Sequence, residues 1–440
     1  MKEVYLYIPN VDFDNKNKDS GNPIKPCYMD VKSGFVHFDD DSAASNPNTR
    51  KLYYCNYYAK GRPQIITFSM CPHCRHPLSS AQLTSFNTRG NQSFFNLIKA
   101  QFQNQPAVAG KDNNPAEYPN EGKKVLLFSD SRQRAAKLAR DMSNASNISV
   151  ARQLFVLAIK KMNEDLEDCN MNYLYDYFCI VAKEKHIQMF DKNDLKQFKE
   201  DCNRVYKKYS TNKRRGRVYI PRMLTSESPY SMQEYLIRLF MGGYNTLYDS
   251  ALSWIEPTEK AKEYAMESLE DEGVSISEEE FIEIFNAWII GVCEAKTAIG
   301  NTIPDALREK IRPIYSGYGL DEDWHFSQKI KKTMGWKNSD HLPTLLKRVL
   351  QDEFLKRMQQ NNGKLYLDLT EIKPCFDSNH IWFRCEKCSE VTPYRLKGKC
   401  PICGSERIHE MDELDYEALS FWRKPIYDAL NGEPIHKIDT

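Results

Sequence analysis

Residues 125–142 read VLLFSDSRQRAAKLARDM, an apolar run that passes through a polar turn into a helix-forming segment. Val125 to Phe128 have the unbroken apolar character of a strand buried on both faces of a parallel sheet. Ser129, Asp130 and Ser131 suit a helix cap, and Asp130 with Gln133 has capping-box spacing. Ala135, Ala136, Leu138, Ala139 and Met142 supply a packing face. Arg132 and Arg134 fall in the first helical turn, where the partial positive charge of the helix end disfavours cations unless an anion meets them. The local chemistry is that of an ordinary βα turn with solvated arginines or of a contact to phosphate.

The chain around this stretch has 440 residues, enough for two to four domains, with an ordinary apolar fraction and many Tyr and Phe. Its formal net charge is +1, so any nucleic-acid surface has to be a local feature. No apolar run has the length of a membrane span, and MKEVYLYIPNVDFD lacks the apolar core of a secretory signal, which leads to the expectation of a cytoplasmic protein with no membrane partner. Residues 1–85 hold strand-like fragments, VYLYI, GFVHF, KLYYC and QIITF, between polar turns. Residues 104–122, with three prolines and two glycines, read as a linker. From about 148 to 360 the pattern is helical, most clearly in LKQFKEDCNRVYKKYS, where Leu195, Phe198, Cys202, Val205, Tyr206 and Tyr209 share a face. Strands return at KLYLDLTEI and HIWFRC.

The thirteen cysteines are clustered, which in a cytosolic chain favours metal over disulfides. RCEKCSEVTPYRLKGKCPICGSERI places Cys385 and Cys388 eleven residues before Cys400 and Cys403. Each C-x2-C pair forms a knuckle whose thiolates converge, and four thiolates close a tetrahedral structural zinc site. Gly404 suits the turn that aims amides at sulfur. Upstream, Cys71 and Cys74 form one knuckle, Cys55 is a third candidate ligand, and Cys27, His73 and His76 compete for the fourth position. Cys169, Cys179, Cys202 and Cys293 stand singly in helical patterns and read as small buried hydrophobes. After LKQFKEDCNRVYKKYS comes TNKRRGRVY, where Lys213, Arg214, Arg215 and Arg217 extend a Lys-rich helix face, either as a solvated face or as a nucleic-acid surface.

KVLLFSDSRQRAAKLARDM resembles the segment that opens the second RecA-like domain of superfamily 2 DEAD/DEAH-type helicases, most closely the large zinc-containing bacterial ones found in phage-defence islands. The likeness extends through SFNTRGNQSFFNLIKAQFQNQP, through WFRCEKCSEVTPYRLKGKCPICGS and on to FWRKPIYDALNGEPI, and more loosely through SWIEPT and SGYGLDEDW. It implies an α/β plus α multidomain chain: a partial RecA-like helicase C-terminal domain with a large helical insertion and a four-cysteine zinc ribbon. The implied divisions are 1–85, strand-rich with a possible zinc knuckle; 86–147, the start of the RecA-like domain with the fourth helicase motif; 148–365, the insertion; 366–412, the ribbon; and 413–440, a truncated return. The resemblance assigns Ser129, Arg132 and Gln133 to the phosphate backbone or the interdomain interface.

The family's ATP machinery is not found in the sequence. No GxxxxGK[ST] loop occurs, no Asp-Glu pair ends an apolar strand, and the QxxGRxxR pattern is missing. The expectation is the central part of an ATP-dependent DNA helicase or translocase, with structural zinc in this chain and with ATP and Mg only in the complete parent. Its partners are then DNA, with RNA as the alternative, and the remaining motor domains in the parent or a neighbouring chain. A stand-alone zinc-bearing adaptor for nucleic acid or protein, derived from a helicase, is the competing expectation.

Overall fold

A computed structural model describes residues 3–8, 18–19, 22–38, 41–58, 65–70, several positions between 97 and 123, and 132–437 apart from 191, 223–228, 244–245, 338–339 and 359–362. The chain forms two compact units, residues 1–89 with 411–420 and residues 90–410 with 421–440.

The first unit is built on strands. β1 (Glu3–Val4), β2 (Lys18–Asp19), β3 (Asn22–Asp30), β4 (Val36–Phe38), β5 (Thr49–Cys55), β6 (Tyr57–Tyr58) and β7 (Ile65–Thr67) follow in order. β3 lies at the centre of an antiparallel sheet, with β5 along one edge and β4 along the other, while β2 pairs with its first two residues. β7 joins β1 in parallel and β6 antiparallel. Alternate residues face one way, so Cys27, Leu52 and Tyr54 come together as an apolar core with Leu6, Met29 and Val36 packed against it.

The second unit is mostly helical. α1 (Arg132–Asp165) is a single helix of 34 residues that continues through positions 147 and 148. It packs on α2 (Leu174–Glu184), which packs on α3 (Lys192–Arg214). The seam is aromatic: Phe155 meets Phe178 edge-on at 5.2 Å, and Phe190 meets Phe198 at 4.7 Å. α3 buries Phe198, Cys202, Val205 and Tyr209 and leaves Leu195 and Tyr206 half-buried, the face the spacing predicts. Asp176, buried in α2, accepts from the Tyr219 hydroxyl at 2.7 Å and the Arg222 amide at 2.8 Å, and so pins the segment after α3 to the helices. α4 (Tyr230–Phe240) follows.

β8 (Trp254–Pro257) leads into α5 (Glu259–Asp271), α6 (Glu278–Trp288), α7 (Asp305–Ile311), α8 (Gln328–Met334) and α9 (His341–Phe354). Ser277 caps α6 through the amide of Glu280, and three glutamates in its first turn complement the helix dipole. Two short antiparallel ladders are interleaved with these helices. β9 (Leu355–Arg357) pairs with β10 (Leu365–Leu367), and β8 pairs with β11 (Ile372–Cys375). Asn163 of α1 bridges to β11, donating to the Pro374 carbonyl at 3.2 Å and accepting from the Phe376 amide at 3.3 Å. β12 (Phe383–Cys385), β13 (Val391–Thr392) and β14 (Ile408–Glu410) form a three-stranded sheet in the order β13-β12-β14. α10 (Glu413–Ala418) belongs to the first unit and opens with a capping box between Asp412 and Asp415; α11 (Ser420–Leu430) ends the described helices.

The result is a mixed helix and sheet chain. Among the described residues, β1 with β7 is the one parallel pairing between strands. The apolar stretch Val125–Phe128, expected as a buried parallel strand, lies outside the described residues.

Candidate metal centre

The sheet β13-β12-β14 holds two turns. β12 ends on Cys385, and the chain folds back so that the Ser389 amide donates to the Cys385 carbonyl at 2.8 Å. The second turn repeats this, the Gly404 amide donating to the Cys400 carbonyl at 2.8 Å. In each turn two amides point at the first sulfur: those of Lys387 and Cys388 at Cys385, and those of Ile402 and Cys403 at Cys400. The residue after each second cysteine is left-handed, Ser389 at φ 63° and Gly404 at φ 69°. The two knuckles are thus the same turn made twice, and they face each other.

The four thiols meet at one point. Cys385 Sγ lies 3.6 Å from Cys403 Sγ, and Cys388 Sγ lies 3.7 Å from Cys400 Sγ. All four sulfurs are within 4.8 Å of one another. A tetrahedral ion with metal–sulfur bonds of about 2.3 Å sets its ligands roughly 3.8 Å apart, so the cluster has the size a single metal ion requires. The electrostatics agree. The hydrogen bond from the Cys388 thiol, helped by the amides of Ile402 and Cys403, holds Cys400 down to about 5, while Cys388 is pushed up by the same bond. Burial raises Cys385. A divalent cation held here would take over the charge balance that the shared protons otherwise provide, and four sulfur ligands would leave no position open for substrate.

The ribbon is fixed to the helical body. The Lys397 amide donates to Glu283 of α6 at 2.8 Å, and Lys397 reaches Glu280 at 3.8 Å. Next to it, His380 stacks on Trp254 with ring centroids 4.0 Å apart and meets Trp382 and Tyr394 edge-on. Burial lowers the His380 pKa, and its Nε2 lies 3.0 Å from the Pro393 carbonyl. This imidazole is a packing element and not a fifth ligand.

The basic segment lies at the C-terminal end of α3 and just after it. Lys213 and Arg214 occupy the last turn of α3, where cations complement the helix C-terminus, and Arg215 and Arg217 follow it. All four are exposed, as are Lys196, Lys199, Lys207 and Lys208 along the same helix. Lys213 Nζ lies 5.7 Å from the centre of the Tyr209 ring, and Arg214 Nε donates to the Ser210 carbonyl at 3.2 Å.

Among proteins of known identity, the chain is similar to Druantia protein DruE of Escherichia coli (strain UMEA 4076-1). The identity is 26% over 377 residues, covering 83% of this chain and 20% of that protein. The chain therefore spans about one fifth of the relative's length. No protein-family model and no solved structure matches it.

The remaining candidates divide by position. Ser129, Cys71, Cys74, His73 and His76 lie outside the described residues, and so do the side chains of Arg132 and Gln133, although both residues open α1. Cys55 and Cys27 are both buried. The β3–β5 register pairs Ile24 with Cys55 and Cys27 with Leu52, an odd offset that turns the two thiols to opposite faces of the sheet. Cys27 faces the apolar core, where burial pushes its thiol up to about 11. Cys169, Cys179, Cys202 and Cys293 are buried, as expected of small hydrophobes, but Cys169 lies in the loop after α1 and not in a helix. Sequence reasoning missed Ser389, whose signal is its position one past Cys388, matching Gly404 one past Cys403. It also missed Glu283, for which no sequence signal exists.

Proposed function

We propose that this chain is the central part of an ATP-dependent DNA helicase or translocase of the phage-defence type, and that its ribbon holds one structural zinc ion. The observation that carries the reading is the likeness to Druantia protein DruE over 83% of the chain, taken with the helicase-like segment at residues 125–142. The four-thiol centre supports it, because the spacing and sulfur separations suit zinc in a closed site that stabilises the domain and performs no chemistry. The exposed cations at the end of α3 give the reading a nucleic-acid surface, with Ser129, Arg132 and Gln133 as further contacts to phosphate. ATP and Mg would be handled by motor domains outside this chain.

The test is the parent protein, or this chain together with its neighbouring reading frame. ATP hydrolysis stimulated by single-stranded DNA, and abolished by mutation of the partner's phosphate loop, is the expected result. Hydrolysis that is absent with every nucleic acid would leave the adaptor reading. That second reading is favoured by the way Lys397, Glu280 and Glu283 join the ribbon to the helical body as one unit.

A further inference from the structure

The sheet of the first unit has one closed face and one open corner. The register sets Tyr28 between Lys51 and His37 on a single rung. One rung further, Asp30 lies opposite Thr49 and donates its amide to the Phe35 carbonyl at 2.8 Å. Side chains alternate along a strand, so these six residues share the face opposite the apolar core of Cys27, Leu52 and Tyr54. Phe35 is 64% exposed and meets the His37 ring edge-on at 5.0 Å. Lys51 is exposed, and Tyr28 and His37 are half-buried.

The corner is rigid and positive. The Asp30 carboxylate accepts from the amides of Lys32 and Ser33 and from the Ser33 hydroxyl, at 3.0, 2.7 and 2.8 Å, which locks the hairpin tip and absorbs the carboxylate in the turn. On this face Lys51 of β5 is the exposed cation, and Lys32 stands exposed at the tip, while Lys25 and Arg50 belong to the face of the apolar core. Rings on neighbouring strands, flanked by lysines, make a surface on which bases can stack while cations follow the phosphates.

We propose that this corner, centred on Phe35, His37, Tyr28 and Lys51, is a base-stacking site for single-stranded nucleic acid. The proposal rests on the reading that the parent protein handles nucleic acid, and it adds a site in a different unit from the basic end of α3.

The experiment measures binding of fluorescein-labelled oligo(dT) to the full chain by anisotropy, with a duplex of the same length alongside. The Phe35→Ala/His37→Ala double variant should lose about tenfold or more in oligo(dT) affinity and little for duplex. Phe35→Trp should restore the affinity, and metal content and melting temperature should match wild type because Phe35 is exposed. Unchanged oligo(dT) affinity in the folded double variant overturns the site. If, in addition, alanines at Lys213, Arg214, Arg215 and Arg217 reduce binding, the helicase reading stands without it. A wild-type chain that binds no nucleic acid overturns both. A concentration-dependent dimer that Phe35→Ala abolishes, with oligo(dT) binding unchanged, would assign the corner to a second copy instead.

Discussion

At Arg308 a full positive charge sits inside the fold, and five N–H groups find five acceptors. Nη1 donates to the Thr297 and Ile299 carbonyls, Nη2 to the Gly300 and Ile303 carbonyls, and Nε to Asp305 at 3.1 Å. The guanidinium lies 4.4 Å from the Tyr366 ring centre, and burial draws its pKa down to about 10. Thr297 adopts φ 49°, a conformation uncommon for a β-branched residue, where the chain turns its carbonyls toward the cation. Arg308→Ala should cost about 3–5 kcal/mol, since the carbonyls of Thr297, Ile299 and Ile303 lose the donor that serves them. Arg308→Lys should recover less than half, because an ammonium lacks the planar fork. Urea midpoints at constant m-value measure both. Glu294 makes the opposite case. Burial pushes its carboxyl up to about 7, with Asp249 and Glu390 raising it further and Arg312 opposing them. A carboxyl whose folded pKa exceeds its unfolded value binds protons in the native state, so its contribution is complete below about 4.5 and is lost as pH rises through about 7. Wild type should therefore lose up to ~3 kcal/mol between those limits, and Glu294→Gln should flatten that part of the profile in urea titrations across pH.

Among the elements, the ribbon was the most legible in the sequence, whereas α1 was legible at its start and not in its length. Four cysteines at C-x2-C spacing announce their own convergence, because each knuckle is a local turn whose geometry does not depend on the rest of the fold. Past Met142 the α1 helix carries no such mark. Val150, Ala151, Leu154, Phe155, Val156, Ala158, Ile159 and Met162 are all buried, and so are Arg152 and Gln153, which leaves this stretch without the polar stripe that periodicity needs. The Arg308 cage was equally invisible, since its acceptors are backbone carbonyls set by a turn. Within the ribbon, the two knuckles differ at one backbone position. Ser389 holds the left-handed conformation that Gly404 takes in the other. Ser389→Gly should then stabilise the holo ribbon by about 1 kcal/mol, seen as roughly fivefold tighter zinc retention against a competing chelator. Gly404→Ala should do the reverse, because its Cβ would stand 2.9 Å from Thr333 Oγ1. Chelation should raise hydrogen exchange across 383–410 and carry over to α6, through the bond from Lys397 to Glu283.

For the molecule as a whole, a net charge of +1 gives no long-range field toward a polyanion, so any affinity for nucleic acid has to be local. The α3 face concentrates that local charge: nine exposed lysines and arginines run from Lys196 to Arg217 along one helix and its exit, namely Lys196, Lys199, Arg204, Lys207, Lys208, Lys213, Arg214, Arg215 and Arg217. Of these, Arg204 is paired with Asp201 and contributes less. A surface of this kind reads phosphates and not bases, since nothing in it fixes a side chain in a base-reading pose. Alanine at Lys213, Arg214, Arg215 and Arg217 should weaken DNA binding by the same factor across unrelated sequences. It should also reduce the slope of log K against log[salt] by about 0.9 for each phosphate that is no longer neutralised. Anisotropy titrations over a salt series give both numbers from one data set. An unchanged slope in the folded variant would remove the end of α3 from the nucleic-acid path, because a phosphate cannot regain its counterion without changing how many are released on binding.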